Sequence, residues 1–403
     1  MPAVASPWHT APSRIVVLAV ALLFAFGACE FAAYWFGPGY EERFTIIDSV
    51  RGWKLRPGFG GWTAKENHLF IRINSDGLRD REHPRAKPPH TLRIAVLGDS
   101  YMQAMNVPWP DAFPARLESE LRGCLAPLVP EVVNFGVSGY GTAQEALAFE
   151  THAAAYQPDL VLTALYAGND LTDNYGPTAD PYAPFYVLDG DTLSLDTSFR
   201  SRSFADQPWH IRARMALTER SRVLMLLYQP WVAFRDWQRT QAAPPDGEEN
   251  DGLDALRGAD LPRIEGEWAV TEAVLARLTD LVRSAGAEPW LASVTMAEQV
   301  DPDLNSRRAL QQRLGVTDLF YPERRLSAFA EQRRLAYVPL APPLAAIAAE
   351  RHVFLHGGMN ARVLNGEGHW NAMAQRLAAP IVAERICRDS AAVARARGTV
   401  AAR

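Results

Sequence analysis

Four short blocks of this sequence carry residue types suited to nucleophilic chemistry: Gly98-Asp99-Ser100, the glycine-rich stretch Asn134 to Gly141, Gly168-Asn169-Asp170, and Glu367-Gly368-His369-Trp370-Asn371. A serine hydroxyl becomes an effective nucleophile only when a base takes its proton, and an imidazole with a pKa near 6.5 suits that task at neutral pH. The oxyanion such an attack creates needs fixed donors, and backbone N–H groups in a glycine turn or an asparagine amide supply them. Each block alone has a plainer reading. Ser100 could cap a helix, the glycine turn could simply bend the chain, Asn169-Asp170 could be a loop, and His369 could be one structural histidine among nine. Other chemistries are disfavoured. The Gly136–Gly141 stretch lacks the order of a dinucleotide-binding loop, no GxSxG elbow occurs, and no His/Cys/Asp cluster has zinc or iron spacing. Neither metal nor cofactor is expected.

The elements that must position these blocks raise them above their separate readings. Arg93–Leu97 reads as a short apolar strand ending at Gly98, Glu131–Phe135 as the next and Asp159–Leu165 as a third. Later strands are expected over Pro289–Val294 and Ala336–Leu340, with helices over Asp111–Arg122, Thr142–Tyr156, Glu267–Ala285 and Ala372–Arg388. Strand-helix alternation of this kind implies a parallel sheet covered on both faces, a three-layer α/β/α architecture. Ligands of such sheets bind beyond the carboxyl ends of the strands. The serine, glycine and asparagine blocks each follow a strand, and the histidine block enters the last helix at the same edge.

Taken together the blocks resemble those of the SGNH (GDSL-type) serine hydrolases, over about residues 91–174 and 264–390. The resemblance implies a flavodoxin-like parallel sheet and acyl transfer through Ser100 with His369 as base. It implies an oxyanion hole of the Ser100 and Gly139 N–H groups and the Asn169 amide, with Asp99 bracing the turn. Tyr101 replaces the leucine of the name-giving motif. The family often carries an aspartate three residues before its histidine, where this chain has Gly366; Glu367 is the nearest carboxylate and the expected third member, a Ser-His dyad or an acid from elsewhere being the alternatives. The leading expectation is an esterase acting on an acyl ester, acetyl included, of a lipid or glycan. An O-acyltransferase for a surface polysaccharide and a degenerate glycan-binding domain are the rivals.

The remaining chain sets the context. With 41 Lys+Arg against 46 Asp+Glu and a net charge of −5, it has no basic stripe for nucleic acid. After a short tail, 1–14, residues 15–36 are apolar but for Glu30 and end in Tyr34-Trp35-Phe36. That is enough for one bilayer crossing with an interfacial aromatic belt. It reads as an uncleaved anchor that places the rest outside the cytoplasm. A cleaved signal peptide, a lipoprotein processed at Cys29 and a buried helix are the alternatives. Residues 38–90 form an extension, 175–263 an insertion and 391–403 a tail. Within the insertion Val187-Leu188-Asp189-Gly190 signals a hairpin, an aromatic-rich helix is expected near Thr218–Trp237, and Ala242–Asp254 is expected to be a mobile loop. Tyr182, Phe185, Tyr186, Trp209, Trp231 and Trp237 are expected to line a substrate cleft. In a flavodoxin-like sheet the first and last helices run side by side, so Cys124 and Cys387 are expected to form a disulfide in an oxidising compartment.

Overall fold

The structure, a computed structural model, describes residues 11–36, 44–63, 66–202, 208–228, 230–231, 234, 252–258, 261–357 and 366–401. The chain divides into two units, Met1–Gly39 with Phe204–Glu249, and Tyr40–Ser203 with Asn250–Arg403.

The larger unit holds the strands β1 (Thr45–Asp48), β2 (Gly52–Leu55), β3 (Gly60–Thr63), β4 (Leu69–Arg72), β5 (Thr91–Gly98), β6 (Val129–Asn134), β7 (Leu160–Tyr166), β8 (Phe185–Asp189), β9 (Thr192–Asp196), β10 (Glu288–Val294) and β11 (Ala336–Pro339). Five make the central sheet in the order β11-β10-β7-β5-β6, and every neighbouring pair is parallel. Numbered by their place in the chain, the strands run 2-1-3-4-5, the flavodoxin-like order whose switch point lies between the first and third strands. Those are β5 and β7, which precede Ser100 and Asn169 directly.

The sheet is buried on both faces because its strands are apolar on both. From β5, Leu92, Ile94 and Val96 face a layer that includes Leu117 and Leu121 of the helix Phe113–Leu125 and Val382 and Ile386 of the helix Ala372–Asp389. Ala95 and Leu97 point the other way, onto Ala143 and Ala146 of the helix Thr142–Thr151 and Val274 and Leu278 of the helix Pro262–Ser284. At the carboxyl ends of Phe113–Leu125 and Ala372–Asp389, Cys124 and Cys387 are joined by a disulfide, their Cα atoms 6.0 Å apart.

The extension 38–90 forms two hairpins, β1–β2 and β3–β4. Their apolar residues Phe44, Leu55, Ile71 and Ile73 share a cluster with Met105, Val137 and Tyr140, so the extension packs on the chain around the glycine turn. The insertion divides between the units: its hairpin β8–β9 belongs to the larger, while Trp209 and Trp231 belong to the smaller. Three expectations take a different form. Of the expected cleft aromatics, Tyr186 is buried against the helix Pro262–Ser284, where it accepts a hydrogen bond from Arg277 Nε (3.1 Å), and Trp237 lies outside the described residues. The expected loop over 242–254 ends in a short helix, Leu253–Leu256, with both leucines buried; 242–251 lie outside the described residues. The expected tail is a helix, Ala391–Ala401, whose start is held by Glu288, which accepts from Ser390 Oγ (2.7 Å) and Ala392 N (2.6 Å).

In the smaller unit the helix Ala11–Phe36 includes a 22-residue stretch, Arg14–Trp35, long and apolar enough to cross a membrane. A second helix spans Trp209–Arg220, and helical residues resume at 222 after Ser221.

Candidate active site

Ser100 opens a single helical turn, Ser100–Gln103, at the end of β5. The cap of that turn is Asp99, not Ser100: Asp99 Oδ1 accepts the Tyr101 N–H at 2.8 Å, which leaves the serine hydroxyl available for other work. The glycine turn is fixed against the same short helix. Val137 N–H donates to Gly98 O (3.1 Å), and a side chain at Gly136 would meet Met102 Cβ at 2.6 Å and Gln103 N at 2.7 Å. Gly139 adopts φ +76°, a conformation that L side chains rarely take. Trp53 of β2 covers it, with a ring atom 3.2 Å from where a Cβ would stand and its Nε1–H on Ser138 O (3.0 Å).

His369 Nε2 lies 2.7 Å from Ser100 Oγ. Its Nδ1 is hydrogen-bonded to Glu66 Oε1, and its backbone N–H reaches Glu66 Oε2 at 3.3 Å. A carboxylate only accepts, so Nδ1 carries the proton and Nε2 presents its lone pair to the serine O–H. The carboxylate beside His369 Nδ1 is therefore that of Glu66; the side chain of Glu367, the expected partner, is exposed and is not brought to the ring. Glu66 sits on the loop between β3 and β4, and is 5 % exposed. Its neighbour Asn67 donates from Nδ2 to Asn106 O (3.3 Å), and Asn106 Nδ2 donates in turn to Trp370 O (2.9 Å). The extension hairpin is thereby tied to the segment that carries the histidine.

A second histidine braces that segment. His356 is buried and its pKa is pushed down to about 4, chiefly by burial. Neutral, it donates from Nδ1 to Gly368 O (2.8 Å) and accepts from Thr295 Oγ1 at Nε2 (2.9 Å), while Trp370 Nε1–H donates to Thr295 Oγ1 (2.7 Å). Tyr101 completes the support: its ring lies against His369, Trp370 and Tyr166 at centroid distances of 5.0, 5.7 and 4.5 Å. Tyr101 is thus a packing partner of the imidazole, a role its place after Ser100 did not signal.

Asn169 follows β7, and its Nδ2 donates to Asp173 Oδ2 at 2.9 Å. Four acids crowd the space behind these residues. Asp99, Glu145 and Asp170 are fully buried, and Asp99 Oδ2, both Glu145 oxygens and Asp170 Oδ1 have no hydrogen-bond partner among the described residues. Burial, reinforced by the repulsion of Asp99, pushes Glu145 and Asp170 well up. Burial likewise raises Asp99 to about 6 and Asp173 to about 7. Among the described residues no group of His, Cys, Asp and Glu is arranged to hold a metal ion.

No family model matches this chain, and no curated protein does. Solved structures do. TesA aligns at TM-score 0.35 and 16 % identity over 73 % of this chain and 97 % of its own. The acetyl xylan esterase AlAXEase aligns at TM-score 0.36 and 10 % identity over 73 % of this chain and 99 % of its own. Axe2, an acetylxylan esterase from Geobacillus stearothermophilus, aligns at TM-score 0.36 and 13 % identity over 74 % and 95 %.

Proposed function

We propose that this chain is a membrane-anchored serine esterase of the SGNH kind, with its larger unit outside the cytoplasm, and that it cleaves an acyl ester of a glycan or lipid. The observation that carries the reading is the relay Ser100–His369–Glu66, each member held by contacts of its own. In the reaction His369 Nε2 takes the Ser100 proton as Oγ attacks the ester carbonyl, and Glu66 stabilises the imidazolium and holds its tautomer. The oxyanion is placed against the Ser100 and Gly139 N–H groups and the Asn169 amide. His369 then hands the proton to the departing alcohol. Water, deprotonated by the same Nε2, attacks the acyl-serine and releases the carboxylic acid and Ser100.

The anchor rests on the length and apolarity of Arg14–Trp35, whose large apolar side chains from Ile15 to Phe24 stand exposed within their unit. The disulfide supports an oxidising surrounding. The test is a fluorophosphonate label with peptide mapping, followed by an ester panel from acetyl to palmitoyl with and without sugar acceptors. A label on the Ser100 peptide with release of free acid is the expected result. Labelling elsewhere, or none, overturns the reading, and acyl transfer to sugar in preference to water changes the reaction to an O-acyltransferase.

A further inference from the structure

A carboxylate within an apolar membrane-length stretch is expensive in lipid and calls for partners. Glu30 has them. It accepts from Ser221 Oγ, from Arg222 N (3.0 Å) and from Val223 N (3.2 Å), while Ser221 Oγ accepts from Leu224 N (3.0 Å). These are the first-turn donors of the helix that resumes at 222, groups that otherwise need water. The lock is reciprocal. Arg222 Nη1 donates to Ala33 O (3.2 Å) and Tyr34 O (3.1 Å), carbonyls of the last turn of Ala11–Phe36, and its guanidinium lies 4.6 Å from the Tyr34 ring centre. The start of the second helix is thereby fixed at the aromatic end of the anchor.

The helical residues that follow include Leu227, Trp231 and Phe234, at spacings of four and three residues that place them on one helical face. They are 71, 48 and 53 % exposed. Arg214, from Trp209–Arg220, lies over the Tyr228 and Trp231 rings (5.1 and 5.7 Å), joining the two helices. Trp209–Arg220 adds exposed Trp209 and Leu217, and carries three arginines against one glutamate. Apolar side chains exposed to this extent beside basic ones fit the boundary of an anionic bilayer. Its attachment to Tyr34, beside Trp35, sets it at the depth where a span's aromatic residues meet headgroups.

We infer that the helix Trp209–Arg220 and the helical residues 222–228, 230–231 and 234 are an interfacial membrane segment, seated on the phospholipid bilayer that Ala11–Phe36 enters, with Leu227, Trp231 and Phe234 in the lipid. The inference rests on the anchor reading, and the experiment separates the two. The full chain, with Cys29→Ser, is reconstituted in phosphatidylethanolamine–phosphatidylglycerol vesicles. A nitroxide is placed at Leu227→Cys, at Ala21→Cys in the anchor, or at Ser306→Cys, an exposed site of the larger unit. Its relaxation by oxygen, which concentrates in lipid, is compared with that by a water-soluble nickel chelate. Oxygen should dominate severalfold at Ala21 and Leu227, and nickel at Ser306. Nickel dominance at Leu227 with oxygen dominance at Ala21 overturns the inference and leaves the anchor. Shielding of Leu227 from both reagents shows that protein covers this face, which also overturns it. Nickel dominance at Ala21 overturns the anchor reading and the inference with it.

Discussion

The two ends of the central sheet treat charge in opposite ways. At the amino end, Arg93 of β5 is fully buried and fully used: Nε donates to Glu131 (2.6 Å), Nη1 to Tyr156 O (2.6 Å) and Arg85 O (2.8 Å), and Nη2 to Pro84 O (2.9 Å). His83 lies between Glu131 (2.8 Å) and Asp80 (3.1 Å). Burial disfavours its charged form, but the two carboxylates outweigh burial and raise its pKa. Burial likewise works to raise Glu131, yet the hydrogen bonds and charges of His83 and Arg93 hold it down at about 2. At the carboxyl end, Asp99, Glu145, Asp170 and Asp173 have one sign, and three of them keep an oxygen without a partner among the described residues. The amino end spends its charges on holding strands and linker together. The carboxyl end carries acids whose burial favours their protonated form, beneath the serine and the asparagine. Paired charge marks the scaffold; unpaired acid marks the edge proposed for catalysis.

The contrast breaks most sharply if catalysis is removed from the carboxyl end. Ser100→Ala and His369→Ala should each lower ester turnover by about 10⁴-fold or more, since the two act as one unit, with melting temperatures that stay close to the parent. Glu66→Gln should lower turnover by about 10³-fold by freeing the wrong tautomer, whereas Glu367→Gln should match the parent in the same assay. Equal effects of the two glutamate changes would remove Glu66 from the relay.

At the amino end the loss should be of stability alone. Arg93→Met leaves Glu131 buried without its main cation and should cost about 3–5 kcal/mol in denaturant unfolding, with turnover per folded molecule retained. The smallest effects concern pH. Asp173 rises from 3.8 to about 7 in the fold, so the folded chain holds a proton there that the unfolded chain has released. Stability from that group is present below about pH 4 and declines as pH rises towards 7. Glu131, lowered from 4.5 to about 2, acts in reverse, its stabilisation disappearing as pH falls through that window. Melting temperature should therefore fall on both sides of about pH 4–5, and Asp173→Asn should flatten only the alkaline side. An unchanged alkaline slope would mean that Asp173 ionises freely.

The strand ends were legible because β-branched and apolar residues cluster before Gly98, Phe135 and Tyr166 and short glycine-bearing blocks follow each cluster. Order and placement then led to a parallel sheet with its crevice at those ends. Glu66 was not legible. It stands 303 residues from His369 in a hairpin loop with no periodic mark, and only the packing of the extension on the glycine turn brings it there. The aromatic content of the insertion was visible, but its division between two units depends on contacts to Glu30 some 190 residues away. The last helix is written in its alanine content and in Ser390, whose Oγ accepts from Val393 N at its start (3.2 Å).

The disulfide has a consequence for what a protease could do to this protein. Cys124 lies before the segment 204–249 and Cys387 after it. A single cut within that segment would turn one chain into two, the first carrying Glu66 and Ser100, the second His369. The two pieces would still travel as one molecule under non-reducing conditions, because the bond and the shared sheet both cross the cut. Reduction would leave only the sheet to keep His369 beside Ser100. Maturation by nicking is therefore compatible with an intact relay, and a two-band pattern that appears only with reductant would be its signature.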